Sequence, residues 1–68
     1  MKLISHDQKI VVFGSKGMVG SAILRSLYEK GYSRILIPSK RELDLLKYED
    51  VKNWFAYNNP QIVILAAA

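Results

Sequence analysis

The sequence predicts an α/β fold in which helices flank a parallel sheet. Three short apolar runs alternate with two longer segments whose apolar residues have helical spacing. The runs are largely continuous in apolar residues, which is typical of strands covered on both faces. Alternation of this kind predicts parallel strands joined by right-handed crossovers. With 68 residues, the chain can form at most one small domain.

The composition excludes several classes of protein. The chain has no cysteine, so disulfides and thiolate metal sites are excluded, and we expect no metal. No apolar run approaches the ~20 residues of a membrane span, and the first residues lack a leader's apolar stretch, so we expect a cytoplasmic protein. The net charge of +4 comes from scattered basic residues, and therefore we expect no nucleic-acid partner.

The first strand is predicted at residues 9–13, after a polar lead-in over residues 1–8 in which we assign His6 no role. A helix over residues 17–30 follows, and Gly31 is expected to end it as a left-handed cap. Helical spacing selects one face that should lie against the sheet, where the small Ala22 should allow a close approach. That face consists of Val19, Ala22, Ile23, Ser26 and Leu27, with Leu24 beside it.

The second strand is predicted at residues 34–37, and Pro38 ends it because proline cannot donate to a ladder. A loop follows, and residues 43–46 are expected to form a brief extended segment or a short strand.

The second helix is predicted at residues 47–57, although Lys47 is a poor N-cap. Val51, Trp54 and Phe55 should face the sheet. After a break at Asn58-Asn59-Pro60, residues 61–68 form the last strand, which should be buried on both faces.

A glycine turn connects the first strand to the first helix. Gly14, Gly17 and Gly20 have the spacing G-x-x-G-x-x-G, and Val19 stands where a P-loop needs its second glycine. In a dinucleotide-binding fold these glycines permit, in order, a sharp turn, the approach of a pyrophosphate and tight helix–strand packing. The N–H groups from Gly17 to Val19 lack helical partners and can bind phosphate oxygens. We therefore predict a Rossmann-type dinucleotide site. Lys16 is equally compatible with a phosphate contact and with solvent.

The loop after the second strand favours NADP over NAD. Lys40 lies twenty positions after Gly20, with Ser39 and Arg41 beside it, where NAD-binding proteins place an acidic residue for the ribose hydroxyls. Two cations and a hydroxyl suit the 2′-phosphate of NADP. Two alternatives remain open: Lys40 and Arg41 are an ordinary solvated pair, or Glu42 takes the NAD role.

Two further groups are candidates for the cofactor pocket. Asp44 can accept from the adenine amino group while Leu45 packs on the ring; alternatively, Asp44 starts a turn or caps the coming helix. Ala66, Ala67 and Ala68 end the last strand, and their small side chains would leave room for the cofactor. Simple packing of these alanines is the alternative.

Three segments together resemble the amino-terminal portion of the GDP-L-fucose synthases, which belong to the extended short-chain dehydrogenase/reductases. They are G14-S-K-G-M-V-G-S-A22, S39-K-R-E-L-D-L-L46 and I64-L-A-A-A68. The resemblance implies an NADP(H)-dependent epimerase and reductase that converts GDP-4-keto-6-deoxy-mannose to GDP-L-fucose, and a homodimer at full length. It places Gly14, Gly17, Met18 and Val19 at the pyrophosphate, Lys40 at the 2′-phosphate, and Asp44 with Leu45 at adenine.

The family's catalytic residues would all lie beyond Ala68, so we predict none within these residues. Tyr48 and Lys52 have the Tyr-x-x-x-Lys spacing by chance, on a helix that should cover the sheet. We therefore expect an incomplete, cofactor-binding part of a Rossmann-type domain over residues 1–68. The alternative is a stand-alone nucleotide-binding module without catalysis. As a bare segment, its last strand would be an apolar sheet edge that favours aggregation.

Overall fold

A computed structural model describes residues 6–66 of the chain. Every predicted helix and main strand is present, with ends that differ from the predictions by one to three residues. The elements in chain order are β1 (Ile10–Phe13), α1 (Met18–Glu29), β2 (Ile35–Leu36), α2 (Tyr48–Asn58) and β3 (Ile62–Leu65).

The three strands form one parallel sheet in the order β2-β1-β3. Ile10 of β1 lies between Ile35 of β2 and Ile62 of β3, so β1 is the central strand. The first crossover leads to one side of β1 and the second to the other, which creates the switch point where such sheets bind ligands. This topology confirms the Rossmann-type α/β prediction.

The core surrounds β1, whose residues are all buried. Val11 and Phe13 point to one face and pack with Leu43, which is 4% exposed. The aromatic side chains of Trp54 and Phe55 on α2 pack against this cluster. Because successive residues of a strand point to opposite faces, Ile10 and Val12 lie on the side of α1. Coverage of β1 on both faces is confirmed.

The prediction of two-sided burial is wrong for β3. Ile62 and Ile64 are half-buried, whereas Val63 is 50% and Leu65 is 68% exposed. Val63 and Leu65 pair in register with Val11 and Phe13, so they lie on the face that α2 covers at the centre of the sheet. No element of the described residues covers that face as far out as β3.

The predicted inner face of α1 is confirmed for Ile23, Ser26 and Leu27, which are half-buried, and is wrong for Val19 and Ala22. Ala22 is exposed and Val19 is 62% exposed, while Gly20 is buried. Gly20 together with Ile23, Leu24 and Leu27 has the spacing i, i+3, i+4, i+7, and those three side chains are half-buried. The close approach to the sheet therefore depends on Gly20 and not on Ala22. A pattern of apolar side chains misses a face that is centred on a glycine.

Residues 43–46 form a turn rather than a strand. The Asp44 side-chain Oδ1 accepts from the Leu46 N–H at 3.0 Å, and the Asp44 carbonyl accepts from the Lys47 N–H at 3.0 Å. The chain is thereby bent toward α2, which prevents it from extending along β2.

Both helices end where the sequence predicts a break, at residues with a positive φ. Gly31 adopts a φ of +91° after α1, as expected for a left-handed cap, and Asn59 adopts a φ of +49° after α2. Lys47 caps α2 without a side-chain hydrogen bond. Within residues 6–66, the helices are too short and polar to cross a membrane, and no cluster of acidic or histidine side chains could hold a metal ion.

Candidate functional site

The turn after β1 has the geometry that its glycines predict. Gly14 adopts a φ of +83°, a left-handed conformation that side chains disfavour. The Gly17 N–H donates to the Gly14 carbonyl at 3.2 Å and closes the turn. The chain therefore reverses sharply at the carboxyl end of the central strand. Because of this bond, the prediction that the N–H is free to bind a phosphate is wrong for Gly17.

Gly20 and Gly17 are glycines for different reasons. A Cβ on Gly20 would lie 1.8 Å from the Gly14 oxygen, so only glycine allows α1 to pack this closely on the turn. A Cβ on Gly17 would lie 3.6 Å from the same oxygen, which is an ordinary contact. The described part of the chain therefore tolerates a side chain at Gly17, and what requires glycine there would be a group approaching from outside.

The amino-terminal end of α1 presents main-chain donors. The first bond of the helix joins the Ser21 N–H to the Gly17 carbonyl at 2.9 Å, so the N–H groups of Met18, Val19 and Gly20 precede it. No side chain caps the helix at Gly17. These donors, at the positive end of the helix dipole, suit an anionic group such as a pyrophosphate.

A basic pocket of about 260 Å³ lies between the glycine turn and the loop after β2. Lys16 and Lys40 supply its charges, and Ser15 and Ser39 supply its hydroxyls. The Ser39 Oγ accepts from the Glu42 N–H at 3.2 Å, which leaves its own O–H able to donate. The pocket therefore combines the groups that bind a phosphate dianion.

An apolar pocket of about 300 Å³ adjoins it. Gly14, Pro38 and Lys40 border both pockets, while Asp44 and Leu45 border only the apolar one. The other residues that line the apolar pocket are Phe13, Leu43 and Leu46. A flat apolar group such as a purine fits this lining, with a carboxylate at its edge and a lysine toward the basic pocket.

Glu42 faces away from both pockets. Its Oε1 accepts from the Ser39 N–H at 3.3 Å, and the residue borders a separate groove with Asp50 and Trp54. Glu42 lines neither pocket, so the structure gives no support to the NAD alternative.

Asp44 starts a turn, as the structural alternative predicts, and it also borders the apolar pocket. One of its carboxylate oxygens accepts from the Leu46 N–H in that turn. A contact with adenine remains a prediction.

Several predicted site residues line neither pocket, among them Gly17, Met18, Val19 and Gly20 of the glycine turn and helix start. Arg41 is exposed and borders neither of them. Ala66 follows β3, where its N–H donates to the Phe13 carbonyl at 2.9 Å, and Ala67 and Ala68 lie outside the described residues. Tyr48 and Lys52 are exposed on α2 and also border neither pocket.

Sequence reasoning missed two features of the site. Leu43 and Leu46 line the apolar pocket, although they were expected only in a connecting segment. The reciprocal bonds between Ser39 and Glu42 also went unpredicted, but the spacing Ser-x-x-Glu is a known capping signal that could have revealed them.

The chain matches one protein-family model and several known GDP-L-fucose synthases. Residues 8–68 match the family model described as the RmlD substrate binding domain. GDP-L-fucose synthase 1 of Arabidopsis thaliana is 47% identical over 60 residues, which are 88% of this chain and 19% of that protein. Putative GDP-L-fucose synthase 2 of the same plant is 42% identical over 66 residues, 97% of this chain and 20% of that protein. The chain therefore spans about a fifth of the length of these relatives.

Solved structures match with the same coverage. A GDP-mannoheptose C4 reductase from Campylobacter jejuni with NADP bound has a TM-score of 0.89 and 29% identity, over 96% of this chain and 21% of that one. A GDP-D-glycero-L-gluco-heptose synthase from Campylobacter jejuni in the presence of NADPH has a TM-score of 0.91 and 29% identity, over 97% of this chain and 19% of that one.

Proposed function

Because the chain belongs to the family of the RmlD substrate binding domain, we propose that it is the NADP(H)-binding segment of an oxidoreductase acting on a GDP-sugar. The segment comprises residues 1–68 and forms part of a Rossmann-type domain. The proposed enzyme resembles GDP-L-fucose synthase.

The position of Lys40 carries the proposal. It borders both the basic and the apolar pocket at the carboxyl ends of β1 and β2. NADP differs from NAD by a phosphate on the ribose next to adenine, so its adenosine end needs a cationic site beside an apolar one. The two pockets provide these in contact with each other. The proposal is further supported by the solved relatives described with NADP bound and in the presence of NADPH.

Each part of the site has a proposed role. The glycine turn and the first N–H groups of α1 hold the pyrophosphate, through Gly14, Gly17, Met18, Val19 and Gly20. Lys40 binds the 2′-phosphate, with Ser39 and Lys16 beside it, while Asp44 and Leu45 contact adenine. Ala66, Ala67 and Ala68 border the cofactor at the switch point. Arg41 is a proposed second cation whose contribution is smaller, because it borders neither pocket.

The reaction of the whole protein is proposed from the resemblance. NADPH supplies a hydride that reduces a keto group of the sugar, and the resemblance to GDP-L-fucose synthase adds an epimerisation of GDP-4-keto-6-deoxy-mannose before that step. The residues that would perform this chemistry are not among the 68. A homodimer, a cytoplasmic location and the lack of a nucleic-acid partner also remain predictions.

The matched variants Lys40→Gln and Arg41→Gln test the proposal in the natural polypeptide that carries these residues. Glutamine keeps much of the length of either side chain and removes its charge. We expect Lys40→Gln to raise the Kd for NADPH about tenfold, because one charge-assisted bond to phosphate is lost at a partly solvated site. The Kd for NADH should stay within about twofold, since NADH has no phosphate there. Titration of cofactor fluorescence measures both constants.

The neighbouring variant supplies the control. Arg41→Gln should change the Kd for NADPH by less than about threefold, as expected for an exposed cation near the phosphate. An equal loss of NADPH affinity in both variants would indicate that the loop attracts the cofactor through its total charge and that Lys40 has no specific contact. An unsubstituted protein that prefers NADH would refute the assignment of NADP.

A further inference from the structure

We propose that Glu42 is a positioning residue that sets the preference for NADPH by bracing the loop that carries Lys40. The proposal rests on the NADP(H) function above and deepens it. It concerns a carboxylate that the sequence suggests as a ribose ligand and that here bonds within its own loop.

The brace consists of reciprocal bonds across one turn. The Glu42 Oε1 accepts from the Ser39 N–H at 3.3 Å, and the Glu42 N–H donates to the Ser39 Oγ at 3.2 Å. The Ser39 carbonyl also accepts from the N–H groups of Glu42 at 3.0 Å and Leu43 at 2.9 Å. This is the capping-box arrangement, in which the two end residues fix each other. Lys40 is one of the two residues between them.

Both ends of the braced turn are anchored. Pro38, which precedes it, has a restricted φ and limits the freedom of its neighbour. Leu43, which follows it, is buried in the core with Val11 and Phe13. A loop held at both ends and across its middle keeps the Lys40 backbone in one place. Binding of a phosphate by Lys40 therefore does not have to offset the entropy cost of ordering the loop.

The brace also directs the charge of Glu42. The residue borders the groove that contains Asp50 and Trp54 and does not border the basic pocket. If the bonds to Ser39 were lost, a carboxylate two positions from Lys40 could turn toward the pocket. There it would repel a phosphate and could accept from ribose hydroxyls, as acidic residues do in NAD-binding proteins.

Two variants separate positioning from charge. Glu42→Gln removes the charge and keeps an acceptor oxygen for the Ser39 N–H, whereas Glu42→Ala removes both. If Glu42 acted only through its charge, both variants would bind the anionic NADPH more tightly, because a negative charge is lost near the phosphate. Positioning predicts opposite signs: Glu42→Gln binds NADPH as tightly as the unsubstituted protein or more so, and Glu42→Ala binds it more weakly.

The experiment measures the Kd for NADPH and for NADH by titration of the natural polypeptide and both variants. We expect Glu42→Ala to raise the Kd for NADPH about threefold to tenfold, the usual effect of one hydrogen bond. The Kd for NADH divided by the Kd for NADPH, which measures the preference for NADPH, should fall by the same factor. If Glu42→Ala only destabilised the fold, the Kd for NADPH and the Kd for NADH would rise together. Thermal melts of each variant measure any such destabilisation.

Each outcome decides between the proposals. A protein that binds NADPH no better than NADH overturns the NADP(H) function and this inference with it. A protein that prefers NADPH, and keeps that preference undiminished in Glu42→Ala, overturns the positioning role alone. Equal weakening in Glu42→Gln and Glu42→Ala also overturns it, because the glutamine retains the acceptor.

Discussion

Gly20 and Gly17 lie one turn apart, and a methyl group added to each would meet different surroundings. Glycine in a helix ordinarily costs about 1 kcal/mol relative to alanine, so Gly20→Ala would stabilise an exposed helix. Here the added Cβ would lie 1.8 Å from the Gly14 oxygen, and the clash is with backbone that cannot rotate away. We expect Gly20→Ala to lower the free energy of unfolding by about 1–3 kcal/mol or more. Urea denaturation of the natural polypeptide that contains these residues measures the change.

Gly17→Ala is the matched variant, because its Cβ would meet the Gly14 oxygen at 3.6 Å without a clash. We expect it to retain most of the stability and to raise the Kd for NADPH about tenfold, since the methyl group occupies space proposed for the pyrophosphate. NADH should lose affinity equally, because both cofactors share that group. Unchanged affinity in Gly17→Ala would argue against the proposed position of the pyrophosphate.

At the scale of elements, α2 begins without a side-chain cap. Lys47 is extended, with φ −105° and ψ 101°, and its carbonyl accepts the first helical bond from the Val51 N–H at 3.0 Å. A serine in this conformation can accept from the N–H of the second or third helical residue. We expect Lys47→Ser to exceed Lys47→Ala in the free energy of unfolding by about 1 kcal/mol. Both variants remove the same charge, so their difference in a denaturant titration of the natural polypeptide isolates the cap.

The order and type of the elements could be predicted because each depends on local pattern. The continuous run over β1 and the helical spacing of Val51, Trp54 and Phe55 are properties of neighbouring residues, and the structure confirms both. The comparisons also confirm the resemblance to the GDP-L-fucose synthases. The glycine turn and the side of the sheet that carries the site follow from motif spacing.

The predictions that were wrong concern features that depend on contacts between elements. The rotation of α1 is set by the contact of Gly20 with Gly14, and a pattern of side chains cannot register a residue that has none. The exposure of Val63 and Leu65 depends on how far α2 extends across the sheet, which β3 does not encode. The orientation of Glu42 depends on a bond to Ser39, so its charge alone could not place it.

In the whole sheet, β3 is an edge strand with exposed apolar side chains. Val63 and Leu65 leave an apolar stripe on one face, and the far edge of β3 has no paired strand within residues 6–66. Such edges pair with other chains. We expect the isolated 68 residues to associate at micromolar concentration and to lack a cooperative thermal transition as a monomer. Sedimentation velocity measures the association.

A charge on the stripe should reduce that association. Val63→Lys places a cation beside the open edge, which is a common natural protection of edge strands. Tyr57→Lys is the control, because Tyr57 is also largely exposed but belongs to α2 and not to the sheet. A monomeric, cooperatively melting unsubstituted chain would contradict the expectation, and so would an equal response to both variants.

The ends of β1 and β2 are proposed to bind the adenosine 2′-phosphate of NADP. A comparison of adenosine 2′,5′-bisphosphate with adenosine 5′-monophosphate isolates this contact, because both ligands lack the nicotinamide and differ only in that phosphate. Calorimetric titration of the natural polypeptide should give a Kd about tenfold lower for the bisphosphate, and the advantage should disappear in Lys40→Gln. Equal affinity of the unsubstituted protein for the two ligands would contradict this proposal.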